Sequence, residues 1–176
     1  CKVQFLLIDN APDEPSEEVF RQYECNMPFP CHYHQEEKRG LVNMRNRMLK
    51  EAIALDTDYL ANLDDDETIS PDWLIRHYAV LQEFNADVVS GRTERILPES
   101  TEQWLIDGGF YEKDSRPTGS VRPTSSTCNV FFDLKKLCLE WGLRFDLRLN
   151  YISSEDIFFF RQAHERGAKI VWNNES

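Results

Sequence analysis

No apolar run in the 176-residue sequence approaches the roughly 18 to 20 residues that a membrane-spanning helix needs, so an integral helical membrane protein is excluded for this stretch. Basic residues are scarce: 20 Lys and Arg stand against 31 Asp and Glu, a net charge of -11. That balance argues against a broad nucleic-acid footprint, which needs clustered cations. It leaves room for an anionic ligand, because a local cation or a helix N-terminus reverses the sign locally. The five cysteines are odd in number and irregular in spacing, which excludes a dense secreted disulfide scaffold and reads as cytosolic thiols. Cys25, Cys31, His32 and His34 lack the paired spacing of a zinc site. No internal repeat, low-complexity tract or signal-peptide pattern is visible. The sequence opens at Cys1 directly on a buried-strand pattern and stops soon after another, so it reads as a fragment, and expectations about targeting apply to the fragment only.

What is present is a globular α/β pattern. Hydrophobic residues make up 41% of the chain, enough for a core. Residues 3–8 read as a buried strand ending at Asp9-Asn10, and Ser16 as the N-cap of a helix to about Tyr23. A short strand is expected over 31–34. Apolar Met44, Met48, Leu49, Ala52 and Ile53 recur at helical spacing between Leu41 and about Ala54. Tyr59–Leu63 reads as a strand. Ser70-Pro71-Asp72 then starts a helix to about Phe84, with Leu74, Tyr78, Leu81 and Phe84 inward. Strands follow at 86–90 and 129–132, a helix at 133–141, a strand-like patch at 143–147, a helix from Ser154 to about Arg166 and a last strand at 168–172. The stretch 98–127, rich in Pro, Gly, Ser and Thr, reads as a long functional loop. Alternating strands and helices predict an α/β fold with a mostly parallel central sheet.

Four features carry chemistry. Asp64-Asp65-Asp66-Glu67 follows a strand, and an extended backbone would put Asp64 and Asp66 on one side, a pair of hard oxygen donors for a divalent cation. A solvated acidic turn is the plainer reading of such a run taken alone. An EF-hand starting at Asp64 fails, because Ile69 and Ile75 occupy its glycine and glutamate positions. Asp64-x-Asp66-x-Thr68 also fits the haloacid dehalogenase pattern, in which Asp64 would accept a phosphoryl group. Glu155-Asp156 stands at a helix start, where acids also simply complement the dipole. Arg39-Gly40, Asn43, Arg45 and Asn46 offer an anion site or a plain helix surface, and Asp9 a ligand contact or a turn cap. In a parallel α/β sheet, Asp9, the acidic run and Glu155-Asp156 would gather at one edge.

The order of these motifs resembles bacterial family 2 glycosyltransferases with a GT-A fold, across nearly the whole chain. Leu7-Ile8-Asp9-Asn10 resembles the end of that family's second strand. Gly40 through Arg45-Asn46 resembles its "G…ARN" segment, with Met44 in place of Ala. Leu63-Asp64-Asp65-Asp66-Glu67 followed by Pro71-Asp72-Trp73-Leu74 resembles the DxD motif and its helix. Gly142-Leu143-Arg144-Phe145-Asp146, then Ser154-Glu155-Asp156-Ile157-Phe158-Phe159-Phe160-Arg161, resembles the "GLRFDxRF…GGEDTxFFxR" segment of exopolysaccharide and lipopolysaccharide enzymes. Cys128-Asn129 stands where Gly-Asn is common, Ser153-Ser154 replaces a Gly pair, and the family's first strand and helix are missing from this sequence.

The resemblance implies a single catalytic domain over 1–176, with a nucleotide-binding part over about 1–97 and an acceptor-side part over about 98–176. It implies inverting transfer of a sugar from a nucleotide-diphosphate donor to a saccharide or lipid-linked acceptor. Asp156 would be the general base and Glu155 would orient or contact the acceptor. Asp9 would contact the base of the nucleotide, Arg45 the nucleotide, and Asp64 and Asp65 the donor sugar or ribose. Asp66 with Asp64 would hold Mg or Mn. The implied place is the cytoplasm, at the inner face of the membrane, with peripheral contact made by segments outside this sequence. A non-catalytic nucleotide- or glycan-binding module, a nucleotidyltransferase and the DxDxT phosphatase remain as other readings.

Overall fold

The computed structural model describes residues 2–111 and 115–176. The chain divides into two compact units, one running to Leu60 and resuming over Leu134–Gln162, the other formed by Ala61–Asp133 and Ala163–Ser176.

In the first unit, β1 (Phe5–Asp9) and β2 (Cys31–Gln35) pair in parallel, Phe5 opposite Cys31 and Asp9 opposite Gln35. The helix α1 (Glu17–Glu24) lies against them through Phe20, whose ring is 6.4 Å from Phe5 and 5.4 Å from Tyr33. The next helix, α2 (Leu41–Ala54), buries Val42, Arg45, Met48, Leu49 and Ala52. That face differs from the expected one: Met44 and Ile53 are only half-buried, and a charged residue takes an inward position. Its N-terminus has no cap of its own. The side-chain Oδ1 of Asn150 accepts instead from Val42 N–H (3.0 Å) and Asn43 N–H (3.2 Å). Gly40 makes the approach feasible. Its φ is 113°, and a Cβ there would stand 2.3 Å from the Asn150 amide.

The expected helix at 133–141 is a short π-helical segment, Lys135–Glu140, with Leu137 and Cys138 buried. The expected strand at 143–147 does not form. Leu143 and Phe145 are buried as a strand would bury them, yet the ladder is replaced by one side chain. Asn46 of α2 accepts from Phe145 N–H (3.0 Å) and donates to Phe145 C=O (2.9 Å). A 3₁₀ turn, Leu147–Leu149, follows, with Asp146 accepting from Arg148 N–H. The helix α5 (Glu155–Glu165) then begins directly after Ser154, whose φ is 83°.

The five-stranded sheet has the order β3 (Tyr59–Asn62), β6 (Val130–Asp133), β4 (Val88–Gly91), β7 (Ile170–Asn173), β5 (Val121–Arg122). It is mixed where a mostly parallel sheet was expected. Strands β4 and β7 are parallel, whereas β4–β6 and β5–β7 are antiparallel. The long 98–127 connection lies between β4 and β6. That connection carries α4 (Gln103–Asp107) and β5, and residues 112–114 of it lie outside the described residues.

The helix α3 spans Trp73–Glu83, and Asp72 rather than Ser70 sits at its N-cap position. The Ser70 hydroxyl donates to Asp72 Oδ1, and Trp73 N–H to Ser70 C=O, so Pro71 belongs to a preceding turn. The inward face is Trp73, His77, Val80 and Leu81; of the expected Leu74, Tyr78, Leu81 and Phe84, only Leu81 is buried. The cause is polar. Asn129, at φ 48° just before β6, accepts at Oδ1 from Trp73 Nε1 and His77 Nε2, both at 2.8 Å, and donates from Nδ2 to Arg92 C=O at 2.7 Å. Oδ1 can only accept, so the His77 proton is on Nε2. Burial holds His77 down to about 4, against a small upward pull from Asn129.

His77 therefore stays neutral in the fold and charges on unfolding. Stability contributed this way is full above about 6.5 and falls as pH drops toward 4, by up to about 3 kcal/mol at 1.36 kcal/mol per unit. Urea midpoints measured from pH 7 to 4 are expected to fall more steeply for the wild type than for His77→Gln, which keeps a donor toward Asn129. Asn129→Ala strands the Trp73 and His77 donors and costs about 2 to 4 kcal/mol, read as a drop in Tm.

Candidate active site

The first unit holds Asp9, Arg45, Glu155 and Asp156. Asp9 ends β1 and is buried. Its Oδ1 accepts from Ala11 N–H (2.8 Å), and its Oδ2 from Ser16 N–H (2.7 Å), Ser16 Oγ (2.9 Å) and Tyr33 Oη (2.7 Å). Ser16 thus spends its hydroxyl on Asp9 rather than on capping α1. Burial pushes the Asp9 carboxyl up, but the donors from Ser16, Tyr33 and Ala11 outweigh it and hold the carboxyl below its ordinary value. Burial and the bond to Asp9 push the Tyr33 phenol up to about 12. Asp9 is an ionised clamp on the 9–16 loop.

Arg45 and Glu155 are brought together. They form an ion pair, Nη1 to Oε1, with side chains only 8% and 5% exposed. The Arg45 guanidinium also lies 5.7 Å from the Phe145 ring centroid. Asp156, next along α5, is half-buried, and its Oδ1 accepts from Ile157 N–H. Asn10 holds the approach to α2: its amide donates to Glu36 and Lys38 carbonyls and accepts from Gly40 N–H.

The second unit holds the acidic run. It is a turn, not extended chain: Glu67 N–H donates to Asp64 C=O, so the alternation argument for Asp64 and Asp66 does not apply. Asp64, Asp65 and Asp66 are exposed. Glu67 folds back, its carboxylate accepting from Asp64 N–H at 2.9 Å and from the backbone N–H of Asn129. Burial pushes Glu67 up, and the Asp64 and Asp66 charges add to this against the two backbone donors. The same burial and the charges of Glu67 and Asp64 push the Cys128 thiol up, so it stays protonated. Among the described residues no group of three or more His, Cys, Asp or Glu side chains is arranged to hold a metal ion by itself. Exposed Asp64 and Asp66 offer hard oxygens that suit Mg or Mn when phosphate oxygens and water complete the shell.

The model of the family described as "Glycosyl transferase family 2" matches residues 1–137. The chain belongs to this family. It is 28% identical over 179 residues to the succinoglycan biosynthesis protein ExoM of Rhizobium meliloti (strain 1021), covering all of this chain and 56% of that protein. It is similar in fold to a crystal structure of S. aureus TarS 1-349 (TM-score 0.72, 17% identity, 97% of this chain and 48% of that one). TarS 1-349 in complex with UDP-GlcNAc matches at a TM-score of 0.71 with 17% identity, over 97% of this chain and 47% of that one. The chain thus spans about half the length of these relatives. Family 2 membership and the GT-A-like α/β fold agree with the resemblance read from the motifs, and they leave the DxDxT phosphatase reading without support. No helix among the described residues is long and apolar enough to cross a membrane.

Tyr33 and Asn150 escaped the motif reading, and Asn46, Asn129 and Glu67 were inside its motifs without their organising roles being legible. Asn46 lay inside the recognised Gly40–Asn46 segment, and Glu67 inside the acidic run. Asn150 and Tyr33 carry no local signal, since their partners are 24 or more positions away.

Tyr33→Phe removes one donor from Asp9. The clamp's stabilisation is present above the unfolded carboxylate value and lost as pH falls through the lower folded one. The variant is expected to raise the Asp9 value in an NMR titration and to cost about 1 to 3 kcal/mol at pH 7.

Proposed function

We propose that the protein is an inverting glycosyltransferase that moves a sugar from a nucleotide-diphosphate donor to a saccharide or lipid-linked acceptor, at the cytoplasmic face of the membrane. The observation that carries this reading is the start of α5 in a family 2 chain. Glu155 turns inward to Arg45, and Asp156, one residue on, is left half-buried.

Transfer needs a proton taken from the acceptor hydroxyl and charge stabilised on the leaving diphosphate. Asp156 is the base: its carboxylate accepts the hydroxyl proton as the oxygen attacks the anomeric carbon from the face opposite the leaving group. Asp9, held ionised by its loop, orients a hydrogen-bond donor of the nucleotide base. Asp64 and Asp65 receive hydroxyls of the ribose or donor sugar. A divalent ion held by Asp66 and Asp64 would supply Lewis-acid stabilisation to the diphosphate. The UDP-GlcNAc complex of TarS and the biosynthetic role in the name of ExoM support a nucleotide-sugar donor and a saccharide product.

Asp156→Asn is expected to lower turnover of UDP-GlcNAc by about 10²- to 10⁴-fold while leaving UDP affinity unchanged. Unaltered turnover would contradict the base assignment. For Asp66→Ala, calorimetry is expected to show UDP binding that no longer strengthens on adding manganese. A variant that keeps the full manganese effect would remove the metal role.

A further inference from the structure

We infer that Arg45 is a positioning residue for the base rather than a ligand of the nucleotide, acting through Glu155 to fix the first turn of α5. The inference rests on the reading of Asp156 as the base.

Arg45 and Glu155 are more than 90% buried and face each other in an ion pair. Such a pair does little for stability compared with apolar residues of the same shape, because desolvation offsets its Coulomb energy. What it does supply is direction: a planar guanidinium donates to a carboxylate in few orientations. The anchor is doubled one turn later. Phe159 is four residues beyond Glu155, on the same helix face, and stacks on Phe145 at 4.3 Å and 15°. Phe145 in turn lies under the Arg45 guanidinium, and its backbone is bound at both polar atoms by Asn46. Neighbouring residues of α2 thus hold α5 at two points of one face. Asp156 follows Glu155 by about 100° of helix rotation, so its direction is set by how firmly that face is held.

Ser154 gives an independent sign that this turn is over-determined. Its φ of 83° is a conformation that favours glycine, and a serine there is strained. Strained backbone persists where the surroundings fix it from several sides. The Phe158 N–H closes the first turn onto Ser154 C=O at 3.0 Å. The Arg45 guanidinium meets Glu155 and Phe145 inside the unit, and through them the residue acts on the reaction by way of α5.

The test uses the whole protein with UDP plus manganese for binding and UDP-GlcNAc for turnover. Removing one partner alone leaves a buried charge, so the informative variant is the double replacement Arg45→Met/Glu155→Leu, accompanied by Arg45→Lys, Arg45→Met and Asp156→Asn. The double variant is expected to fold, to bind UDP within about twofold of wild type, and to lose at least about tenfold in kcat with KM unchanged. Arg45→Lys is expected to retain more kcat than Arg45→Met. A tenfold or greater loss of UDP affinity with kcat preserved at saturation would make Arg45 a donor ligand and overturn the inference. Wild-type kcat in the double variant beside an inactive Asp156→Asn overturns the inference alone. An active Asp156→Asn removes the base reading and the inference with it.

Discussion

Leu143 and Phe145 are buried in the first unit without a strand to satisfy their backbone. Leu143 and Phe145 are 2% exposed, so their polar groups need partners from elsewhere. Leu143 finds them nearby, its N–H donating to Leu137 C=O and its C=O accepting from Arg144 Nη1, whereas those of Phe145 come from α2. Asn46 takes both backbone atoms of Phe145, and Asn150 returns the favour by capping α2 at Val42 and Asn43. The exchange is reciprocal: α2 lacks its own cap, the 145–150 segment lacks its own ladder, and each supplies what the other is missing. Gly40, with no Cβ to stand against Asn150, is what makes the contact sterically feasible. The placing of Glu155 and Asp156 depends on this exchange, because α5 starts where the segment ends.

The second unit solves a similar problem with one residue. Asn129 gathers the indole of Trp73, the imidazole of His77 and the carbonyl of Arg92, while its own N–H holds the Glu67 carboxylate. Gly91 passes close by: a Cβ there would stand 2.2 Å from the Asn129 side chain. The acidic turn is therefore tied to the buried start of β6, not left to wander as a solvated run. Glu67 does the tying, and Asp64, Asp65 and Asp66 remain exposed.

Much of the element order was legible because period and punctuation agree in it. The strands at Phe5–Asp9, Cys31–Gln35 and Ile170–Asn173 and the helices α2 and α5 stand close to where periodicity, caps and Gly167 put them. Three of the departures share one cause. Polar contacts override local pattern at 143–147, where Asn46 replaces a ladder, at α3, where Asn129 draws His77 inward, and at Ser16, which stands at the expected N-cap position but gives its hydroxyl to Asp9. The sense of β6 was illegible because pairing direction is not written into a single strand's composition. The candidate carboxylates were readable as motifs, since their order and spacing are local. Their environments were not, because burial of Arg45 and Glu155 depends on residues more than a hundred positions apart.

In the proposed reaction one carboxylate activates the attacking oxygen in a single displacement. The anomeric configuration of the first-formed sugar tests this most directly. With the whole protein, an α-linked nucleotide-sugar donor and water as acceptor, proton NMR taken before mutarotation is predicted to show the free sugar first as the β-anomer. Release of the α-anomer would contradict it.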